Sequence, residues 1–202
     1  MLAKVSHMKL VFATHNQNKF HEVKKLVPGY LELVSLHDIG CYKDIPETGK
    51  TLKENAQIKA DYITSNYGLP CFSDDTGLLV QALGDAPGVY SARYAGEEKD
   101  ANKNMDKLLM ELESYEDRSA RFETIIALNL YAKRYFFKGT VTGTITKQKR
   151  GDSGFGYDPI FQPEHFDRTF AELTMEEKNS MSHRARAMTQ LVDFLVTLPH
   201  TN

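Results

Sequence analysis

Cysteine is scarce in this chain of 202 residues, with Cys41 and Cys71 in unlike contexts and no CxxC or Cys/His spacing. That argues against a disulfide framework, a zinc centre or a redox role, and it suggests a reducing compartment, the cytoplasm. A surplus of positive charge is missing as well: 25 Lys and Arg stand against 27 Asp and Glu, a formal net charge of -2. No nucleic acid partner is expected from such a balance. No apolar stretch approaches the roughly 18 residues of a membrane span, and Met1 to His7 lacks the apolar core of a signal peptide, so no membrane partner is expected. Internal repeats, low-complexity linkers and a Walker-type phosphate loop are absent too.

What remains is an ordinary globular composition, 41% hydrophobic and 10% aromatic, sufficient for a sizeable core in one domain. Strand-like residues begin only at Met8. Residues 1–7 therefore read as a disordered extension, an upstream start or an expression remnant, and 8–199 as a single domain. Strands and helices alternate along it in an α/β pattern. Lys9 to Ala13 reads as a buried strand, Asn16 to Val27 as a helix stopped by Pro28-Gly29, and Leu31 to Leu36 as a second strand. Leu52, Ala56, Ala60 and Ile63 recur at helical spacing, with Thr51 as cap and Gly68-Leu69-Pro70 as the stop. Asp100 to Ser114 predicts an amphipathic helix with Leu108, Leu109 and Leu112 inward, and Arg121 to Ala132 with Arg134 to Thr146 predicts a long antiparallel pair. Ser182 can cap a last helix from His183 to about Leu198.

Four segments carry chemistry. In Ser73-Asp74-Asp75-Thr76-Gly77 two carboxylates are adjacent, which suits a hard cation such as Mg2+; on this segment alone, a polar turn between strands is the better reading. Ala13-Thr14-His15-Asn16-Gln17-Asn18-Lys19 joins a strand to a helix start, where free N–H groups, the helix dipole and the Lys19 charge favour an anion. Equally, Asn16 is a helix cap and Lys19 a solvated lysine. Late in the chain, Gly154 and Gly156 flank Phe155 ahead of Tyr157 and Asp158, so a backbone could approach a ligand whose base stacks on the ring, unless Phe155 is ordinary core. Lys178, His183 and Arg184 add donors near a helix start.

In wording and order these segments resemble the inosine triphosphate pyrophosphatase family, the Ham1-like dITP/XTP pyrophosphatases. The resemblance spans nearly the whole chain: Phe12-Ala13-Thr14-His15-Asn16 through Lys19 and Glu22, Glu47-Thr48-Gly49 with Glu54-Asn55-Ala56, Ser73-Asp74-Asp75-Thr76-Gly77-Leu78, Ala86 to Gly96, Phe155 to Phe161, and Ser182-His183-Arg184. Asn18 stands where many members have glycine, and Thr76 where serine is common; Thr76 keeps the hydroxyl, and Asn18 tolerates a left-handed backbone.

The resemblance implies an elongated mixed β-sheet whose flanking helices form two lobes around a central cleft, an ITPase/Maf-like α/β fold, in a homodimer. It further implies Mg2+-dependent hydrolysis of ITP, dITP and XTP to the monophosphate and pyrophosphate, cleansing the nucleotide pool. By position, Asp75 would prepare the attacking water and bind metal with Glu47. Thr14, Asn16 and Lys19 would hold the phosphate chain, with Lys59 a weaker candidate, and His15, Gln17, Asn18 and Thr76 would be further substrate-binding residues. Phe155, Gly156, Tyr157, Asp158, Lys178, His183 and Arg184 would read the base. Donors aimed at a 6-keto group would be left unpaired by adenine, at a cost of about 1–3 kcal/mol; rejection of GTP must act at C2. A nucleotide sensor that does not cleave, and a Maf-type enzyme for pyrimidine or modified nucleotides, are the competing classes. The intact carboxylates speak against the first, and Phe155 to Asp158 with Ser182-His183-Arg184 against the second.

Overall fold

The computed structural model describes residues 8–198; the expected extension at 1–7 and residue 199 of the expected domain lie outside the described residues. In chain order the elements are β1 (Met8–Phe12), α1 (Gln17–Leu26), β2 (Leu31–Val34), α2 (Leu52–Tyr67), β3 (Cys71–Val80), β4 (Ala86–Pro87), α3 (Ala101–Glu111), β5 (Ser119–Leu130), β6 (Lys133–Ile145), β7 (Phe161–Pro163), α4 (Met175–Met181) and α5 (His183–Thr197). Seven strands make one sheet in the order β2-β1-β3-β5-β6-β7, with β4 paired to β3. It is mixed: β1 runs parallel to β2 (Leu10 opposite Leu33) and to β3 (Val11 opposite Cys71), while β4 is antiparallel to β3 and β7 to β6. The α/β class and mixed sheet expected from the sequence are therefore observed.

The chain divides into two compact units, one of residues 8–75, 125–138 and 185–198, the other of 76–124 and 139–184. In the first, β1 is buried on both faces, as a parallel strand between helical layers must be. Leu10 and Phe12 enter a cluster with Val23 of α1, Phe72 of β3, and Met188 and Leu191 of α5. Val11 and Ala13 point oppositely, into a cluster with Ile63 of α2, Cys41 and Cys71. Phe12 stacks on Phe72 with ring centroids 4.6 Å apart. In the second unit, Leu108 and Leu112 bring α3 against Leu78, Val80, Phe122, Val141 and Phe161, with Leu109 partly buried beside them.

Helix signals are used as the sequence suggests. Thr51 and Glu54 form a capping box on α2, and Gly68 ends it at φ 67°. Asn16 caps α1 and Asp100 caps α3. Asn18, for which left-handed tolerance was invoked, lies inside α1 and is not among the residues with positive φ. Between β5 and β6 only Tyr131 and Ala132 intervene, at φ 50° and 57°, the two-residue turn that joins neighbouring strands antiparallel.

One expectation fails. Ser73 to Gly77 is no turn: β3 runs unbroken from Cys71 to Val80, with Ser73, Asp74 and Asp75 buried. Composition alone favours a turn because Ser and Asp side chains compete for local N–H groups. Here each polar side chain finds a distant partner instead, so the backbone is left to the ladder. Ser73 Oγ donates to the Ala56 carbonyl of α2, Asp74 pairs with Lys19, Asp75 with Lys59, and Thr76 Oγ1 lies 2.7 Å from Thr124 Oγ1.

Candidate active site

In the first unit, the carboxylates of β3 meet lysines from α1 and α2. Lys19 Nζ lies 3.1 Å from Asp74 Oδ1, and with its side chain only 15% exposed it is not the solvated lysine of the alternative reading. Lys59 Nζ bridges two acids, 2.6 Å from Glu47 Oε1 and 3.4 Å from Asp75 Oδ1. This pairs Lys59 with both residues assigned to metal from sequence. Burial alone would push the Lys59 ammonium down, but Asp75, Glu47 and Asp74 outweigh it and hold its pKa well above the ordinary lysine value. At Asp75 burial wins: it pushes the carboxyl up despite the opposing charges of Lys59 and Lys19, and Glu47 adds to the rise.

The segment carrying Glu47 is tied to α2. Asn55, fully buried, accepts the Gly49 N–H on Oδ1 at 2.8 Å. A Cβ at Gly49 would fall 2.6 Å from Glu54 Cβ and 2.7 Å from that same Oδ1, so only glycine allows this closeness. Two buried atoms here make no hydrogen bond, Asp75 Oδ2 and Asn55 Nδ2. The Asn55 amide is near enough to favour the ionised form of Asp75, yet the geometry falls short of a direct bond.

The expected anion seat at the start of α1 is largely used internally. Asn16 Oδ1 accepts the N–H groups of Asn18 and Lys19, and Thr14 Oγ1 accepts that of Asn16. The Phe20 N–H goes to the Asn16 carbonyl. The premise of a row of free N–H groups is thus corrected: the asparagine side chain takes up two of them, those of Asn18 and Lys19. His15 Nε2 lies 3.1 Å from the Lys43 carbonyl, and Gln17 and Asn18 are exposed.

In the second unit, Phe155, Asp158, Lys178, Arg184 and Thr76 come together. Asp158 Oδ2 accepts the Phe155 N–H at 2.8 Å and Lys178 Nζ at 2.6 Å, a buried ion pair that fixes the loop. Lys178 Nζ lies 4.9 Å and Arg184 Cζ 5.7 Å from the Phe155 ring centroid. Arg184 is almost wholly buried and donates from Nη2 to Thr76 Oγ1 at 3.3 Å. Gly154 at φ 77° and Gly156 at φ 64° shape the loop, and a Cβ at Gly154 would fall 2.1 Å from Asp158 Oδ2. Two expected base readers are turned inward: Tyr157 is buried with its hydroxyl on the Ser91 carbonyl at 2.8 Å, and His183 stacks on Phe122 at 4.6 Å.

Sequence reasoning gave Asn55 no role and Lys59 only a weak one. Both lie one turn apart on α2, where a buried Asn and a buried Lys interrupt the apolar positions Leu52, Ala56, Ala60 and Ile63. That interruption was the available signal.

For a cation, the donor set is two to three hard carboxylates. Among the described residues no group of three or more His, Cys, Asp or Glu side chains is arranged to hold an ion. Mg2+ commonly needs only one or two carboxylates, the rest coming from substrate oxygens and water. Glu47 and Asp75, already drawn together by one ammonium, fit that demand.

Comparison with known proteins is consistent along the chain. A family model described as the Ham1 family matches residues 10–194. A dITP/XTP pyrophosphatase of Flavobacterium johnsoniae is 56% identical over 188 residues, covering 93% of this chain and 98% of the relative. Another so named, from Porphyromonas gingivalis, is 52% identical over 189 residues, 93% of this chain and 97% of the relative. A HAM1 protein from Coxiella burnetii superposes with a TM-score of 0.88 at 38% identity, covering 95% of this chain and 100% of that one.

Proposed function

We propose that this chain, which belongs to the Ham1 family, is a pyrophosphatase that hydrolyses dITP, ITP and XTP between the α and β phosphates. The products are the nucleoside monophosphate and pyrophosphate, and the reaction depends on Mg2+. What carries the reading is Asp75: a buried carboxylate with raised basicity, beside Glu47 and held by Lys59. A carboxylate pushed toward neutrality is a better proton acceptor than a solvated one. Its naming in relatives as dITP/XTP pyrophosphatases supports the substrate class.

Asp75 accepts the proton of the attacking water. Lys19 and Lys59 place positive charge where a triphosphate needs it, with Thr14 and Asn16 at the same loop. Glu47 and Asp75 would hold Mg2+, which when bound draws charge from the phosphate oxygens. The base falls to Phe155 as a flat face and to Lys178 and Arg184 as donors for a 6-keto oxygen, with Asp158 locking the lysine and the loop. A homodimer in the cytoplasm, cleansing the nucleotide pool, completes the reading and rests on the family alone.

The test is pyrophosphate release with Mg2+ from ITP, XTP, dITP, GTP, ATP and TTP, identifying each nucleotide product. Monophosphate and pyrophosphate from ITP, dITP and XTP, with ATP and GTP nearly untouched, is the expected result. Orthophosphate release, a pyrimidine preference or no turnover would overturn it.

A further inference from the structure

We propose that Arg150 is a positioning residue for base binding, acting through the loop that carries Phe155 and Asp158 rather than on the nucleotide. The inference rests on the pyrophosphatase reading and deepens it by naming what orders the base loop before a ligand arrives. The Arg150 N–H donates to the Pro159 carbonyl at 2.8 Å, which joins the two ends of that loop. Its own carbonyl accepts Thr169 Oγ1 at 2.8 Å. Its guanidinium donates from Nη2 to Gln162 Oε1 at 2.8 Å and to the Asp167 carbonyl at 3.1 Å, and Nε lies 3.4 Å from Glu172 Oε2. That Glu172 oxygen also accepts the Thr169 N–H at 2.7 Å, so one carboxylate serves both the arginine and the segment against which the loop rests.

Contact between loop and segment is close. Gly151, at φ 78°, passes the Ala171 backbone so tightly that a Cβ would fall 2.5 Å from the Ala171 carbonyl oxygen, and the Ser153 N–H donates to that oxygen at 3.1 Å. Beyond Ser153, the Phe155 N–H is held by Asp158 Oδ2. The same segment bears Phe170, whose ring centroid lies 5.7 Å from Lys178 Nζ, so Arg150 fixes the neighbourhood of the lysine as well as the loop. A half-exposed ion pair such as Arg150 with Glu172 adds little to global stability, and the weight of these bonds falls on the loop they order. With Gly154 and Gly156 both at positive φ, that loop has wide freedom once untied. Ordering it on binding costs entropy that a loop already ordered does not charge to the ligand.

Arg150→Met keeps an apolar stem and removes the guanidinium. KM for ITP and XTP should rise about tenfold with kcat unchanged, on the scale of re-ordering one loop residue at each binding event. A residue that only stabilised the fold would lower the active fraction, and with it the apparent kcat, without moving KM. The inhibition constant of inorganic tripolyphosphate, which offers the phosphate chain and no base, should keep its wild-type value. Independently of activity, amide hydrogen exchange in the nucleotide-free protein should quicken at Ser153 and Phe155 and stay as it is in β1. Arg150→Lys keeps a charge for Glu172 and loses the fork across Gln162 and Asp167; it should show the same changes at smaller size, and it carries the test if Arg150→Met does not fold. An unchanged KM, unchanged exchange at Ser153 and Phe155, a rise in KM matched by tripolyphosphate, or a fall in kcat alone would overturn the proposal. If the wild type releases no pyrophosphate from dITP or XTP, the functional reading falls, and the exchange pattern decides by itself whether Arg150 orders the loop.

Discussion

Around Asp75, strand β3, helices α1 and α2 and the segment carrying Glu47 bring acids together under lysines; around Phe155, a glycine-shaped loop meets Lys178 of α4 and Arg184 of α5, and cations lie along an aromatic ring. The first set holds a carboxylate of raised basicity, Asp75, and so has use for a proton or a cation. The second presents donors beside a flat face, which suits a planar ligand bearing a keto oxygen. The contrast teaches that chemistry and selection call for different arrangements of charge. Acids bridged by ammonium groups fix the distances among carboxylates, while cations laid along a ring beside a loop shaped by Gly154 leave donors next to a flat face.

Asp75→Asn would break the first region most completely. It keeps the side-chain volume and removes the proton acceptor, so turnover should fall by about 10³-fold or more while nucleotide binding persists. Pyrophosphate release and calorimetric nucleotide binding, measured on the same preparation, check this. Turnover like the wild type would remove Asp75 from the mechanism. Arg184→Ala tests the second region with a smaller effect of a different kind. Loss of a donor at the base should raise KM for ITP by about tenfold to a hundredfold, the equivalent of about 1–3 kcal/mol, with kcat falling less. A large fall in kcat at unchanged KM would move Arg184 from base binding to catalysis and erase the division of labour.

The two regions also differ in how far the sequence discloses them. Helices and their ends are legible because their signals are local: Thr51 with Glu54, Gly68, and Asp100 all act within a few residues. The strand carrying Asp74 and Asp75 reads as a turn because what makes it a strand is distant. Lys59 stands 16 residues before Asp75, and Arg184 stands 108 after Thr76. Asn16 was legible as a cap, but composition could not say that the cap would take up two of the N–H groups offered to an anion. Asn55 is hidden for a further reason: an amide has two faces, and only the close approach of Gly49 decides which one is left over.

The mildest perturbation sharpens the comparison from outside both clusters. Lys178 rides on the short helix α4, whose start is held by Thr174 and by Glu177, itself paired with Arg168 at 2.7 Å. The Arg168 guanidinium first, and then the Thr174 N–H, lower the Glu177 pKa from 4.5 to about 2. A depressed carboxylate pKa means that the folded state binds the proton less readily than the unfolded one. Its contribution to stability is therefore full above about pH 4.5 and is lost as the pH falls toward 2. The pair is well exposed, so the contribution is small. Glu177→Gln should lower the melting temperature slightly at neutral pH, and calorimetry across an acid series should show its gap from the wild type closing below about pH 4.5. At neutral pH the variant should raise KM for ITP modestly through the loosened Lys178 and leave kcat unchanged, because Lys178 is assigned to the base and not to the reacting phosphate. A gap that is constant with pH would show that Glu177 acts through packing rather than charge.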